Sequence, residues 1–266
     1  MTGKQGESAG GPHGTERVRA ALFDVDDTLF DSVTMVRMAR LNAVKAMIEA
    51  GLPLADEREG YRLLMRVIRR YGSNYGKHFD RLLESLGVPW DPRVIAAGIV
   101  AYHDTKFACL KVDPDVIPTL ITLRDRGYML GIISNGRLIK QWEKIIRLGL
   151  HHYFHVVVVS EEVGSEKPDV RIFETALRRL GVRPFEAVYV GDRLDTDILG
   201  AYRAGLVSVR ILKGRYRRRR PAAEEMKPRY EIRRLLELLE ILTGRAPGIE
   251  TRRPPSSFSR PPSNNR

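Results

Sequence analysis

The apolar positions of the chain repeat with two different periods, and the points where one replaces the other mark its organisation. Val18–Asp26 reads as a strand, apolar through Phe23 and then acidic at alternate positions. From Asp31 to Lys111 the period is helical. Val33, Val36, Val44, Met47 and Ile48 recur at helical spacing, and Gly51-Leu52-Pro53 ends that segment. Asp56, followed three residues later by Glu59, has the form of a capping box and opens a second helix running to Arg70. A third helix is predicted over Gly76–Leu86. A fourth opens at Asp91-Pro92, an N-cap followed by proline at the first helical position.

Beyond residue 112, strands and helices alternate. A helix begins near Val116–Pro118 and ends at Gly127, and Tyr128–Ile133 is an apolar strand closing on Ser134-Asn135-Gly136. Helices follow at Leu138–Leu148, Val170–Leu180 and Thr196–Ala204, with strands at Ala187–Val190 and Val207–Leu212. Val156–Val159 is so uniformly β-branched that it is expected to be a central strand covered on both faces. A last amphipathic helix is expected over Tyr230–Leu242. Such alternation predicts a parallel sheet with helices on both faces. Residues 17–31 and 112–244 therefore form an α/β core, and the helical block 32–111 is a module inserted after the first strand. The glycine-rich residues 1–16 and the basic, Pro/Ser-rich residues 245–266 are expected to be disordered.

Composition narrows the class. Hydrophobic residues make up 43% of the 266, enough for a substantial core, yet no apolar run reaches the length of a membrane helix. Met1–Glu16 lacks the charged-then-apolar order of a secretion signal, and a single cysteine excludes an internal disulfide framework, so a cytoplasmic setting is expected. Cys109, Trp90 and Trp142 read as packing residues. His151, His152 and His155 lie at a helix-to-strand junction and predict a helix C-terminal or surface role rather than a metal site. The net charge of +12 is concentrated: Lys213–Arg220 carries +6 and Arg245–Arg266 carries +4, which leaves the rest nearly balanced. The run Arg215–Arg220 has two readings, a nucleic-acid phosphate contact or a solvated loop, and its single aromatic residue, Tyr216, favours the loop.

The chemistry lies at the strand ends. Asp24/Asp26/Thr28, Ser134/Asn135, Lys167 and Asp192/Asp197 each stand just past an apolar strand. Open parallel sheets bind ligands outside the carboxyl ends of their strands, so these residues are expected to share one pocket. In a strand, Asp24 and Asp26 would share a face with Val25 turned away, and two close acids call for a compensating hard cation. Mg2+ would suit Asp24 and Asp192, while a lysine, a serine hydroxyl and backbone N–H groups would suit phosphate oxygens. An aspartate facing phosphorus can act as a nucleophile, and a second acid can protonate the departing oxygen and later take a proton from water.

In order, D-V-D-D-T-L-F-D-S, I-S-N-G, E-K-P-D and V-G-D-R-L-D-T-D-I-L-G-A resemble the four motifs of the haloacid dehalogenase superfamily, over about Arg17–Leu212. The resemblance implies a Rossmann-like, three-layer α/β core with an inserted all-helical cap. It implies that Asp24 is the nucleophile and Asp26 the general acid/base. Asp24, Asp26 (through its carbonyl) and Asp192 would hold Mg2+, and Asp197 would be an auxiliary metal acid or stand behind the ligands. Ser134, Asn135 and Lys167 would bind the transferring phosphoryl group, with Thr28 at the substrate-binding first loop. An acid at Asp26 points to phosphoester rather than halide chemistry, because an alkoxide needs a proton on leaving. Within the superfamily, E-V-G-S-E-K-P-D-V-R-I-F-E-T-A-L is similar to an archaeal phosphatase branch, which implies glyceraldehyde 3-phosphate as the leading substrate. The same scaffold also serves phosphomutases and nucleotide or sugar-phosphate phosphatases, and the Arg-rich segments leave a nucleic-acid-binding role as a third reading.

Overall fold

The computed structural model describes residues 18–73 and 75–244. The expectations for residues 1–16 and 245–266 lie outside the described residues. The chain enters through β1 (Ala20–Phe23) and crosses to four helices, α1 (Ser32–Glu49), α2 (Glu57–Tyr71), α3 (His78–Ser85) and α4 (Pro92–Cys109). It then returns through α5 (Val116–Asp125), β2 (Met129–Ser134), α6 (Leu138–Arg147), β3 (Val156–Val159), α7 (Ser160–Val163) and α8 (Val170–Leu180). β4 (Ala187–Gly191), α9 (Leu199–Arg203), β5 (Val207–Ile211), β6 (Tyr230–Ile232) and α10 (Leu238–Leu242) complete it. The six strands form one parallel sheet in the order β3-β2-β1-β4-β5-β6.

Strand pleating sends alternate apolar residues to opposite faces, and each face has its own core. Ala21 and Phe23 of β1 pack with Val116, Leu120 and Leu123 of α5, Ile145 of α6 and Leu238 of α10. Ala20 and Leu22 pack on the other side with Ile172, Phe173 and Ala176 of α8 and Ala201 of α9. A third core, built on Val44, Met47, Leu64, Leu82 and Ile95, belongs to α1–α4 and the loops that join them. Gly98 sets the α1–α4 approach, since a Cβ there would lie 2.7 Å from Met47 Cγ. Among the described residues no helix is long and apolar enough to cross a membrane.

The cap is fastened to the core at its two crossings. Asp27, with φ 58°, turns the chain away from the sheet. Its Oδ1 accepts from the Ser32 amide (2.9 Å), the Ser32 hydroxyl (2.8 Å) and the Val33 amide (3.1 Å), so it joins the N-cap Asp31, which accepts from the Thr34 amide, in starting α1. On the return, the Asp113 amide donates to the Leu29 carbonyl at 3.1 Å. Lys213 Nζ bridges both crossings, 2.6 Å from Asp113 Oδ2 and 3.5 Å from the Thr28 carbonyl.

Several expectations are corrected. β1 ends at Phe23, so Asp24 and Asp26 do not share a strand face. Val156–Val159 forms an edge strand rather than a central one; helices bury both its faces, and that burial is what its composition encodes. Tyr230–Leu242 is not one helix. Tyr230 and Ile232 pair in register with Val209 and Ile211, and Glu237 accepts from the Arg233 and Arg234 amides, which delays the helix until Leu238. The stretch predicted as helix from Thr196 begins as a π-helical turn, Leu194–Ile198. Cys109 is exposed at the end of α4, and Trp90 is exposed with its indole N–H on Asp80; only Trp142 packs on the core. His155 serves the sheet rather than a helix end, its Nδ1 accepting from the Leu130 amide of β2.

Asp27→Ala removes its three bonds at the start of the cap, and is expected to cost about 1–3 kcal/mol of stability in urea unfolding. A loss within about 0.5 kcal/mol, the range of neutral surface changes, would show that Asp27 does not fasten the cap.

Candidate active site

Four loops meet at the carboxyl edge of the sheet, and Lys167 is their common partner. Its Nζ lies 2.6 Å from Asp24 Oδ1 and 2.7 Å from Asp197 Oδ1. It also donates to the Tyr189 hydroxyl at 2.9 Å and the Ile133 carbonyl at 3.2 Å. Tyr189 in turn donates to the Ile133 carbonyl at 3.1 Å. Asn135, just past β2, grips the backbone of Lys167 at both ends: Oδ1 accepts its amide at 2.8 Å and Nδ2 donates to its carbonyl at 3.2 Å. The π-helical turn carries Asp197 back toward the strand ends, where Oδ2 accepts the Arg193 amide at 3.0 Å. Gly191 permits that approach, because a Cβ there would fall 2.5 Å from the Asp197 carboxyl carbon.

Asp24, Asp192 and Asp197 are all buried, and an oxygen from each lies within 4.8 Å of the others. Burial, with Asp197 and Asp24 alongside, pushes the Asp192 carboxyl up to about 9. Burial also raises Asp24 to about 7, against the pull of Lys167. For Lys167 burial opposes the charge, but the Asp197 and Asp24 carboxylates outweigh it and hold the ammonium above its ordinary range. One cation thus faces three acids. Asp192 Oδ2 is buried with no hydrogen-bond partner among the described residues. An all-oxygen set with surplus negative charge and an unsatisfied carboxylate oxygen fits a hard divalent cation.

The remaining expected residues fall around this cluster. Ser134 is buried at the end of β2, and Thr28 is buried with its Oγ1 unpartnered among the described residues. Asp26 stands apart: its side chain is 39% exposed and meets Lys144 Nζ at 2.6 Å and 2.8 Å through its two oxygens. Sequence reasoning missed Lys144, and it also missed Gln141, which accepts from Lys144 at 3.0 Å and donates to the Asn135 carbonyl at 2.9 Å. Helical spacing puts Gln141 and Lys144 on one face of α6, directly after the Ser134-Asn135 strand end, and that was the available signal. Lys106 of the cap lies near the same group. Burial first, and then Lys144, lower its ammonium, while Asp26 opposes them. Tyr189 was missed because it reads as an ordinary apolar strand position.

Asp24 and Asp192 hold their protons more tightly in the folded chain than in the unfolded one, where both would ionise near 3.8. The stability they contribute is present below 3.8 and is lost as pH climbs through about 7 for Asp24 and about 9 for Asp192. In EDTA the melting midpoint is therefore expected to fall from acidic to alkaline pH, by about 2–4 °C per kcal/mol at this chain size. Asp192→Asn should flatten the alkaline part of that fall. An unchanged slope in the variant would contradict the assignment.

The chain matches the haloacid dehalogenase-like hydrolase family over residues 18–205. It is 56% identical over 226 residues to a glyceraldehyde 3-phosphate phosphatase of Methanopyrus kandleri, covering 85% of this chain and 97% of that protein. A glyceraldehyde 3-phosphate phosphatase of Methanocaldococcus jannaschii is 45% identical over 225 residues, covering 85% and 97%. Among solved structures, a phosphatase of the same family from Thermococcus onnurineus superposes with a TM-score of 0.60 at 29% identity, covering 85% of this chain and 99% of that one. The match takes in β1, the whole cap and all four loops that meet at Lys167, and on that extent the chain belongs to the haloacid dehalogenase-like hydrolase family.

Proposed function

We propose that this chain is a Mg2+-dependent phosphatase of a small phosphorylated metabolite, glyceraldehyde 3-phosphate first, working through a phosphoryl group carried on Asp24. The observation that carries this reading is the buried Asp24 carboxylate, held 2.6 Å from Lys167 beside two further acids. The substrate follows from the relatives that share 45–56% of their residues with this chain, both named glyceraldehyde 3-phosphate phosphatases. Those names do not favour the phosphomutase alternative.

Asp24, the Asp26 carbonyl and Asp192 would hold Mg2+, with Asp197 behind them, and the ion would supply positive charge for the phosphoryl oxygens. The protein's own groups do the rest. An Asp24 carboxylate oxygen attacks phosphorus, and the bond from phosphorus to the bridging oxygen of the substrate breaks. Asp26 gives its proton to that oxygen as it leaves. Water then attacks the phosphorus of the aspartyl phosphate, and Asp26 takes the proton released. Inorganic phosphate departs and the Asp24 carboxylate is restored. Lys167 balances charge on Asp24 and on the phosphoryl oxygens in a buried setting, where such an interaction is strongest. Asn135 acts through Lys167 by holding its backbone, and Ser134 stands at the neighbouring strand end toward the phosphoryl group. Protonating Asp26 weakens its ion pair with Lys144, so the acid form is also the form freed to meet the leaving oxygen.

Asp24→Asn is expected to lower phosphate release from glyceraldehyde 3-phosphate at least about 1,000-fold while leaving the melting curve cooperative. Activity near that of the wild type would refute the nucleophile. Asp26→Ala should cost about 100- to 10,000-fold on glyceraldehyde 3-phosphate, the usual range for a lost proton donor, and far less on p-nitrophenyl phosphate, whose phenolate leaves unaided. Equal losses on the two substrates would remove Asp26 from the acid role. EDTA should abolish turnover and added Mg2+ restore it; turnover that survives chelation would exclude the metal.

A further inference from the structure

A cleft beside the nucleophile loop takes no part in the reaction described above. It holds about 300 Å3, between Asp31 and Thr34 at the start of α1 and Arg215, Arg217 and Arg218 in the loop after β5. That loop is firmly held. Arg210 of β5, only 2% exposed, donates to the Tyr216 carbonyl at 2.7 Å and pairs with Glu231 at 3.1 Å. The guanidinium groups of Arg193 and Arg219 stand over the Tyr216 ring, 5.0 Å and 5.9 Å from its centre. Both of them pair with Asp195, at 3.1 Å and 3.2 Å. Gly214, with φ +61°, lies so close to Asp27 that a Cβ would come within 2.7 Å of its carboxyl carbon. The loop is thus fastened on one side to the segment bearing Asp192 and on the other to the turn that follows Asp24 and Asp26.

On this fixed frame, Arg217 and Arg218 pair with no carboxylate among the described residues, and Arg215 meets only the Tyr216 ring, at 4.7 Å. The one acid in the cleft, Asp31, is engaged by the Thr34 amide. Three exposed arginines lining one concave space give it a positive character, and guanidinium matches phosphate with paired N–H donors. We propose that this cleft is a second phosphate subsite, taking a phosphate group of a small molecule. That group is either the distal phosphate of a bisphosphorylated metabolite whose other phosphate lies at Asp24, or a separate small phosphate compound. The volume of this open cleft suits a small ligand. Nucleic-acid binding is disfavoured because the Tyr216 ring, the aromatic surface a base would stack on, is already covered by guanidinium groups.

The inference stands on the cleft and is tested by binding rather than turnover. Full-length protein carrying Asp24→Asn, which stops hydrolysis, is titrated by calorimetry with fructose 1,6-bisphosphate, fructose 6-phosphate and inorganic phosphate, with and without Arg217→Gln/Arg218→Gln. The bisphosphate is expected to bind at least about tenfold more tightly than the monophosphate, about 1.4 kcal/mol, and the double variant to erase that advantage. If the ligand is instead a separate phosphate compound, inorganic phosphate should fill two sites in the parent and one in the double variant. Melting curves confirm that the exposed substitutions leave the fold intact. Equal affinities for all three ligands in parent and double variant would overturn the subsite. So would a double variant that loses only its binding to a short single-stranded oligonucleotide. The bisphosphate arm rests on the reading of Asp24 as a phosphate site; failure of that reading would appear in the hydrolysis assays, and inorganic phosphate would then still fill one site in the parent and none in the double variant.

Discussion

A single buried ammonium, Lys167 Nζ, lies within 2.7 Å of two carboxylates that follow the neighbouring strands β1 and β4, far apart in sequence. Removing one member of such a buried pair leaves an uncompensated charge, at a cost of about 3–5 kcal/mol. The neighbouring structure is arranged so that this does not happen. Asn135 holds the Lys167 backbone, the Tyr189 hydroxyl and the Ile133 carbonyl share its third hydrogen, and the π-helical turn returns Asp197 to it. These tethers come from β2 and β4, with Asp24 past β1 between them, so the parallel order of the sheet is a precondition for the ion pair, and the ion pair ties the four loops into one site.

That balance is deliberately incomplete in charge. Three acids surround one lysine, and the unpartnered Asp192 oxygen marks where the surplus sits. Asp26, two residues from Asp24, belongs to a separate compartment with Lys144, Gln141 and the cap's Lys106. Two carboxylates almost adjacent in the chain therefore occupy unlike surroundings, one buried against Lys167 and one half-exposed against Lys144. Contrasting environments of this kind suit the separate nucleophile and proton-carrying roles proposed for the two acids.

The strand ends were legible in the sequence because apolar runs that stop at polar residues carry the topology with them. Asp24, Asn135, Lys167, Asp192 and Asp197 do converge, and the helical block does form its own core. What failed was whatever depends on the neighbour rather than on the residue. Val156–Val159 looks central because both faces are covered, yet the open side of an edge strand leaves no mark on such a composition. Tyr230–Ile232 has a pattern too short to separate strand from helix until β5 is beside it. Lys144 finds Asp26 across 118 positions of sequence, a pairing that no local spacing encodes. The face-sharing argument for Asp24 and Asp26 assumed an extended chain, whereas the chain leaves the sheet after Phe23 and Asp27 folds it over.

Lys213 touches the outbound crossing at the Thr28 carbonyl and the inbound crossing at Asp113. Both joints of the inserted helices are thereby gathered at one point, beside the loop that carries Arg215–Arg218. Met35 and Val36 of α1 pack on the sheet core as well, and the Arg147 guanidinium of α6 lies 3.9 Å from the centre of the Phe107 ring of α4, so the helices rest on the core on more than one side. A change at Lys213 would therefore reach both crossings and the arginine loop together, while the helical module kept its other supports.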